Sequence, residues 1–241
     1  MKNQPSLSIV IPVGPDETEH LQLGQCLAEF PVTKFQVTVQ IVFSGCEPLQ
    51  PEPTPAPVNG IDWIQVTGSA GRAAQLNRGV AASSGPCLWL LHADSRPDAG
   101  AMDCAGAFAR TCHNAGSPET LGWFPLSFSA DGPRLASLNA AGANLRSRIF
   151  RLPFGDQAWL MRRDTFDALG GFNEQFGLGE DLDFIRHARR AGIGLCRQNG
   201  MIATSARRYR EHGWLRTTLA HLWLTLRLWV KSAQRSRRPS N

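Results

Sequence analysis

The stretch SLSIVIPV over positions 6 to 13, closed by Pro5 before it and Gly14-Pro15 after it, constrains the fold more than any other segment. Its apolar residues are nearly consecutive rather than alternating, and many are β-branched, the pattern of a strand buried on both faces. Such a strand must lie inside a sheet covered on either side. In a chain of 241 residues the expected solution is an α/β domain with a mostly parallel, Rossmann-like central sheet flanked by helices.

The segments that follow fit that scheme. Leu21, Leu27 and Phe30 mark a helix, and VTVQIVF over 37 to 43 reads as a second strand. Between Glu47 and Asn59 five prolines exclude a helix or a central strand, so an extended surface loop is expected there. IDWIQV over 61 to 66 is a third strand, followed by the turn Gly68-Ser69-Ala70-Gly71-Arg72 and a helix to about Ser84. CLWLLHAD over 87 to 94 reads as one buried strand and is followed by a helix from Asp98 to Arg110. LGWFPLSF over 121 to 128 and QAWLMRR over 157 to 163 read as further strands, separated by a helix from Pro133 to Phe150. A short helix stopped by Gly170-Gly171 comes next, and Leu182, Phe184, Ile185 and Ala188 give helical periodicity over 181 to 191. One domain over 1–213, with an amphipathic basic helix and tail over 214–241, accounts for the pattern.

A hydrophobic share of 42% and a charged share of 19% exclude disordered, collagen-like and coiled-coil chains. The net charge of +5 is concentrated near the C-terminus, where nine Lys and Arg between Arg207 and Arg238 face only Glu211. Basic residues gathered at one end without interleaved aromatics do not make a stacking platform, so no nucleic-acid partner is expected. The six cysteines show neither Cys-x-x-Cys spacing nor a dense framework, and the N-terminus lacks a signal-peptide pattern. A reducing cytoplasmic setting is the expectation.

In a parallel sheet, ligands gather at the carboxyl ends of the strands. Asp94 falls there and can reach a divalent cation already carrying phosphate oxygens, or it can simply cap its turn. The Gly68–Gly71 turn allows close backbone approach to an anion at a helix N-terminus. Arg72 is a cation in a first turn, unfavourable for the helix unless an anion is near. The alternative is a plain turn with a solvated arginine. Glu180, Asp181 and Asp183 either complement a helix dipole or include a carboxylate that accepts a proton from an acceptor hydroxyl. Asp156 either orients an acceptor or caps its turn. Arg207 and Arg208 around Tyr209 suit a diphosphate or plain solvent. Leu215, Leu219, Leu222, Leu226 and Trp229 recur at helical spacing among basic residues. The helix is too interrupted to span a bilayer; it can dock on the domain's own core or lie on an anionic membrane through residues 214–238.

Taken together, SIVIPV, GSAGRAAQLNRG, LLHADS, FGDQAWLMRRDTFDALGGFNE and GEDLDF resemble, in order and spacing, the family 2 glycosyltransferases of the GT-A fold. TSARRYREHGWLRTT is similar to the tail of a bacterial subgroup described as arsenosugar-biosynthesis-like. The resemblance implies inverting transfer of a sugar from a nucleotide-diphospho-sugar donor to an acceptor hydroxyl, with Mg2+ or Mn2+ as cofactor. It places Pro12, Gly71, Arg72, Asn77, His92, Ala93 and Asp94 on the donor side, with Asp94 on the metal. Asp181, with Glu180 beside it, is then the catalytic base. Gly155, Asp156 and Gln157 fall on the acceptor side, and Arg207 and Arg208 near the diphosphate. One departure stands out: where the family usually places a uracil-reading aspartate after the second strand, this chain has Phe43-Ser44-Gly45-Cys46. A nucleotidyltransferase of similar fold and a non-catalytic sugar-nucleotide binder or membrane-surface scaffold are the competing readings.

Overall fold

The computed structural model describes residues 5–47, 60–112, 119–129, 131–133, 135–177, 179–219 and 223. The proline loop over 48–59 and most of the C-terminal basic stretch therefore lie outside the described residues. The first strand, β1 (Ser6–Val13), is buried from Leu7 to its end. It pairs in parallel with β2 (Thr38–Gly45) on one side and with β4 (Cys87–Leu90) on the other, and β3 (Ile61–Thr67) pairs in parallel with β2. Beyond β4 the seven-stranded sheet continues through β8 (Trp159–Arg162), β6 (Thr120–Trp123) and β9 (Gly194–Arg197). β8 is antiparallel to both its neighbours, and β6 and β9 are parallel. A separate three-stranded sheet joins β5 (Arg96–Pro97), β10 (Ile202–Thr204) and β7 (Leu126–Phe128).

Each face of the main sheet has its own apolar layer. On one side Leu7, Ile9, Ile11 and Trp89 pack with residues of α1 (Glu19–Ala28), α2 (Val32–Phe35) and α4 (Ala99–Cys112). On the other, Val10, Leu88, Trp159 and Met161 meet α3 (Arg72–Ala82), α6 (Arg163–Ala168) and α7 (Glu180–Arg190). There, Phe172 and Phe184 stack at 4.6 Å between centroids, and Trp159 stacks on Phe184 at 5.5 Å. Burying each of these rings contributes roughly 1.5–3 kcal/mol relative to exposure and fixes α7 on the sheet. α5 (Ala136–Phe150) and α8 (Arg207–His212) complete the helices, and residues 214–219 are also helical. No helix among the described residues is long and apolar enough to cross a membrane.

Several expectations are corrected. The run over 87 to 94 is not one strand: β4 ends at Leu90, and a turn follows in which the Ser95 N–H donates to the His92 carbonyl (3.0 Å) while the His92 N–H donates to Ser95 Oγ (3.1 Å). LGWFPLSF divides between two sheets, because Pro125 has no N–H to continue the ladder and the chain turns there from β6 into β7. The strand expected over 157 to 163 starts at Trp159, behind a 3-10 turn over Gly155–Gln157, and the helix expected from Pro133 starts at Ala136. Among the cysteines, Cys87 and Cys112 are joined by a disulfide with Cα atoms 6.3 Å apart, because the last turn of α4 lies over the start of β4.

α3 approaches β1 so closely that a Cβ on Gly79 meets Val10 Cγ1 at 2.4 Å, whereas a Cβ on Gly142, on the exposed face of α5, meets nothing within 4 Å. Gly79→Ala therefore lowers stability by roughly 1–3 kcal/mol through overpacking, and Gly142→Ala raises it by about 0.5–1 kcal/mol through helix propensity. Urea denaturation of the two variants reads both signs.

Candidate active site

The site forms where β1 and β4 end and the N-termini of α3 and α7 converge. Gly71 precedes α3 with φ 114°, a conformation that excludes side chains, and it lets the chain turn so that Arg72 opens the helix pointing across to α7. At the end of β1, the Gln75 side-chain amide donates to the Val13 carbonyl at 2.6 Å and satisfies an acceptor that the sheet leaves free. α7 starts from Gly179, with φ 97°, and carries Glu180, Asp181 and Asp183 in its first turn, where they complement the unpaired N–H groups.

The anion that Arg72 requires comes from the protein itself. Its Nε donates to Glu180 Oε1, its Nη2 lies 3.5 Å from Asp181 Oδ2, and its Nη1 lies 3.3 Å from His92 Nε2. Burial opposes the Arg72 charge, but Asp181 and then Glu180 more than offset it, so the guanidinium is held above its ordinary pKa. Glu180 is buried at 3% exposure and Asp181 sits at 14%. Removing Arg72 would strand a carboxylate at low dielectric, a loss of about 3–5 kcal/mol. Asp181 also accepts the Gly155 N–H at 3.2 Å and the Leu182 N–H at 2.8 Å. Gly155 has no room for a side chain: a Cβ there meets His92 Nε2 at 2.9 Å. Arg72, His92, Gly155, Trp159, Glu180 and Asp181 surround a cavity of about 10 Å³, room for one water.

Asp94 lies in the turn after β4, half-buried, with Oδ2 accepting the Thr204 hydroxyl of β10 at 2.8 Å. Its other oxygen makes no hydrogen bond among the described residues. No group of three His, Cys, Asp or Glu able to hold a metal occurs among the described residues. A cation at Asp94 therefore fits only if it arrives with oxygen ligands of its own, which is how Mg2+ or Mn2+ sits on a diphosphate. Asp156 is half-buried next to this group. Burial pushes its carboxyl up to about 6; Arg146 and Arg72 pull it down, while Asp181 and Asp94 push it further up. Asp156 Oδ1 and Arg146 Nη2 are both buried without a hydrogen-bond partner among the described residues. Burial lowers the Arg146 pKa, against the fields of Asp156 and Asp181, and its guanidinium lies 3.6 Å over the Phe154 ring.

The other residues singled out from the sequence are distributed more widely. Pro12 is buried in β1 opposite Ser44 of β2, and Ala93 is buried beside Asp94. Asn77 holds the loop before α7: its amide donates to the Phe172 carbonyl and to Glu174, both at 2.9 Å, and it accepts the Phe172 N–H. Gln157 is fully buried, bonded to Ser147 Oγ and to Asn144 Oδ1 (3.2 Å). Arg207 reaches Glu19 at 3.6 Å and Glu211 at 3.8 Å; the Arg208 side chain lies outside the described residues. At the end of β2, Phe43 stacks on Trp63 at 6.2 Å, and Arg78 donates to the Gly45 carbonyl at 2.8 Å. Arg146 and Thr204 were not singled out from sequence: one lies in a helix with no site motif and the other on a three-residue strand.

The same architecture recurs in solved structures. The chain superposes on residues 1–349 of TarS from S. aureus with a TM-score of 0.58 and 16% identity, covering 83% of this chain and 60% of that one. The chain has the GT-A fold. It superposes on the mannosyltransferase PcManGT of Pyrobaculum calidifontis, solved with GDP-Man and Mn2+, with a TM-score of 0.53 and 15% identity over 84% of this chain and 57% of that one. For GalNAc-T7, solved with UDP, GalNAc and Mn2+, the TM-score is 0.59 and the identity 11%, over 89% and 46% of the two chains. This chain thus spans less than two thirds of each of these relatives. No protein-family model matches the sequence, and neither does any curated protein.

The Asp156 carboxyl has a pH signature. Its folded pKa, near 6, exceeds the unfolded value of ~4, so between those limits the native state binds the extra proton and stability falls as pH rises. The stability of the wild type minus that of Asp156→Asn is expected to decline from about pH 4 to about pH 6 and to level off above. Denaturation midpoints of both proteins across that range check this; a difference independent of pH contradicts it.

Proposed function

We propose that the chain is a metal-dependent, inverting glycosyltransferase of the family 2 kind that transfers a sugar from a nucleotide-diphospho-sugar to an acceptor hydroxyl. The tail similarity supports the bacterial subgroup named above, and residues 1–213 serve as the catalytic domain. The observation that carries the reading is the convergence of Asp94, Arg72 and Asp181 from three separate elements at the carboxyl edge of a GT-A sheet. GDP-Man and Mn2+ in PcManGT, and UDP, GalNAc and Mn2+ in GalNAc-T7, support the same chemistry.

In this reading Asp94, held by Thr204, would be the protein carboxylate that holds a Mg2+ or Mn2+ arriving with the donor diphosphate. When bound, that cation stabilises the charge of the departing diphosphate. Asp181 accepts the proton of the acceptor hydroxyl as its oxygen attacks the anomeric carbon from the face opposite the diphosphate. Arg72 and the Gly155 N–H hold the Asp181 carboxylate in a fixed direction before substrate arrives, which avoids reorganisation during reaction. Asp156, half-buried between Arg146 and Asp181, positions the acceptor side together with Gly155 and Gln157. The resemblance assigns Arg207 and Arg208 to the diphosphate; in the structure Arg207 is paired with Glu19 and Glu211.

Two substitutions separate the roles. Asp94→Asn is expected to weaken Mn2+-dependent donor binding by about tenfold or more. Asp181→Asn is expected to leave donor affinity within about twofold while lowering release of nucleoside diphosphate, measured over a panel of sugar acceptors, by roughly 10²–10⁴. Full turnover by Asp181→Asn rejects the base assignment, and release of pyrophosphate in place of nucleoside diphosphate points to a nucleotidyltransferase.

A further inference from the structure

Nine large hydrophobic side chains are exposed among the described residues, and eight of them belong to one region: α5 with the residue before it, and the C-terminal segment. α5 buries Ala136, Ala140 and Ser147. On its opposite side Leu138, Leu145 and Ile149 form a stripe at helical spacing, exposed at 58%, 57% and 60%. In the C-terminal segment Leu215, Leu219 and Trp223 follow an i, i+4, i+8 spacing and are exposed at 62%, 57% and 58%. The two elements adjoin: Trp214 Nε1 donates to Asn139 Oδ1 at 2.7 Å, and Asn139 Nδ2 donates to Thr218 Oγ1 at 3.0 Å. Their apolar stripes thus extend one surface, larger than the scattered apolar residues that a soluble surface ordinarily shows.

The two stretches that carry this surface hold charges of one sign. No acidic residue occurs from Gly132 to Gly155, where Arg148 and Arg151 are exposed, and none occurs from His212 to Asn241, where Arg216 is exposed and five further Lys or Arg follow it. A second copy of the chain would bring cations against cations across an apolar contact. An anionic lipid surface supplies the complement to both features, hydrocarbon for the stripes and negative headgroups for the rim.

We propose that the outer face of α5, residues 214–219 and Trp223 together form a docking surface for an anionic bilayer. The surface is independent of the catalytic assignment. The full chain is expected to co-sediment with vesicles of phosphatidylcholine containing about 30% phosphatidylglycerol, to bind pure phosphatidylcholine at least about tenfold more weakly, and to release as salt rises. Leu145→Glu/Ile149→Glu, at two exposed positions, is expected to weaken vesicle binding by about tenfold or more with an unchanged melting temperature. Absence of binding to the anionic vesicles, or equal binding by the double variant, overturns the proposal. A dimer in sedimentation velocity that the double variant dissociates, without vesicle binding, overturns it in favour of self-association.

Discussion

The contact between Arg72 and the Glu180–Asp181 pair is the interaction on which the site depends. It joins the first turn of α3 to the first turn of α7, two helices that follow different parts of the sheet and are 108 residues apart at these positions. Each helix start has an electrostatic need that the other meets. A guanidinium at the N-terminus of α3 is unfavourable by itself, and buried Glu180 would be costly without a cation. The pair therefore fixes the angle between the helices, and the aromatic packing of Trp159, Phe172 and Phe184 holds α7 down from behind. Positive-φ glycines precede both helices, Gly71 before α3 and Gly179 before α7.

Around this crosslink the protein concentrates groups that do not serve stability alone. Asp156 and Arg146 keep polar atoms buried without hydrogen bonds among the described residues, and the carboxylates of Asp94 and Asp181 add repulsion to the Asp156 charge. A chain selected only for folding would place apolar residues there. Under the proposed function, these electrostatics at the carboxyl edge of the sheet would serve to hold a diphosphate, a cation and a nucleophilic hydroxyl together.

Much of this was legible from local pattern. β1 announces a sheet covered on both faces, Gly71-Arg72 announces a helix start with an unmet charge, and the acidic start of α7 is visible as three carboxylates within four residues. What local pattern cannot carry is partnership over distance. Thr204 meets Asp94 across 110 residues, Cys87 meets Cys112 only because α4 folds back on β4, and Arg146 enters the site from a helix whose sequence shows no motif. The division of LGWFPLSF is instructive: the hydrophobic run is continuous, but Pro125 cannot donate to a ladder, and its carbonyl instead accepts the Ile202 N–H at 2.9 Å. The side-chain pattern had hidden a backbone constraint.

The most direct test is thermal unfolding of the full chain with a panel of nucleoside diphosphates, with and without Mn2+, because a ligand that binds only the folded state raises its melting temperature. The arrangement of Asp94, Arg72 and Asp181 predicts a rise of about 5 °C or more with one nucleotide family at saturating concentration, dependent on Mn2+. No shift with any nucleoside diphosphate in the presence of Mn2+ would contradict the reading of this edge of the sheet as a nucleotide-sugar site.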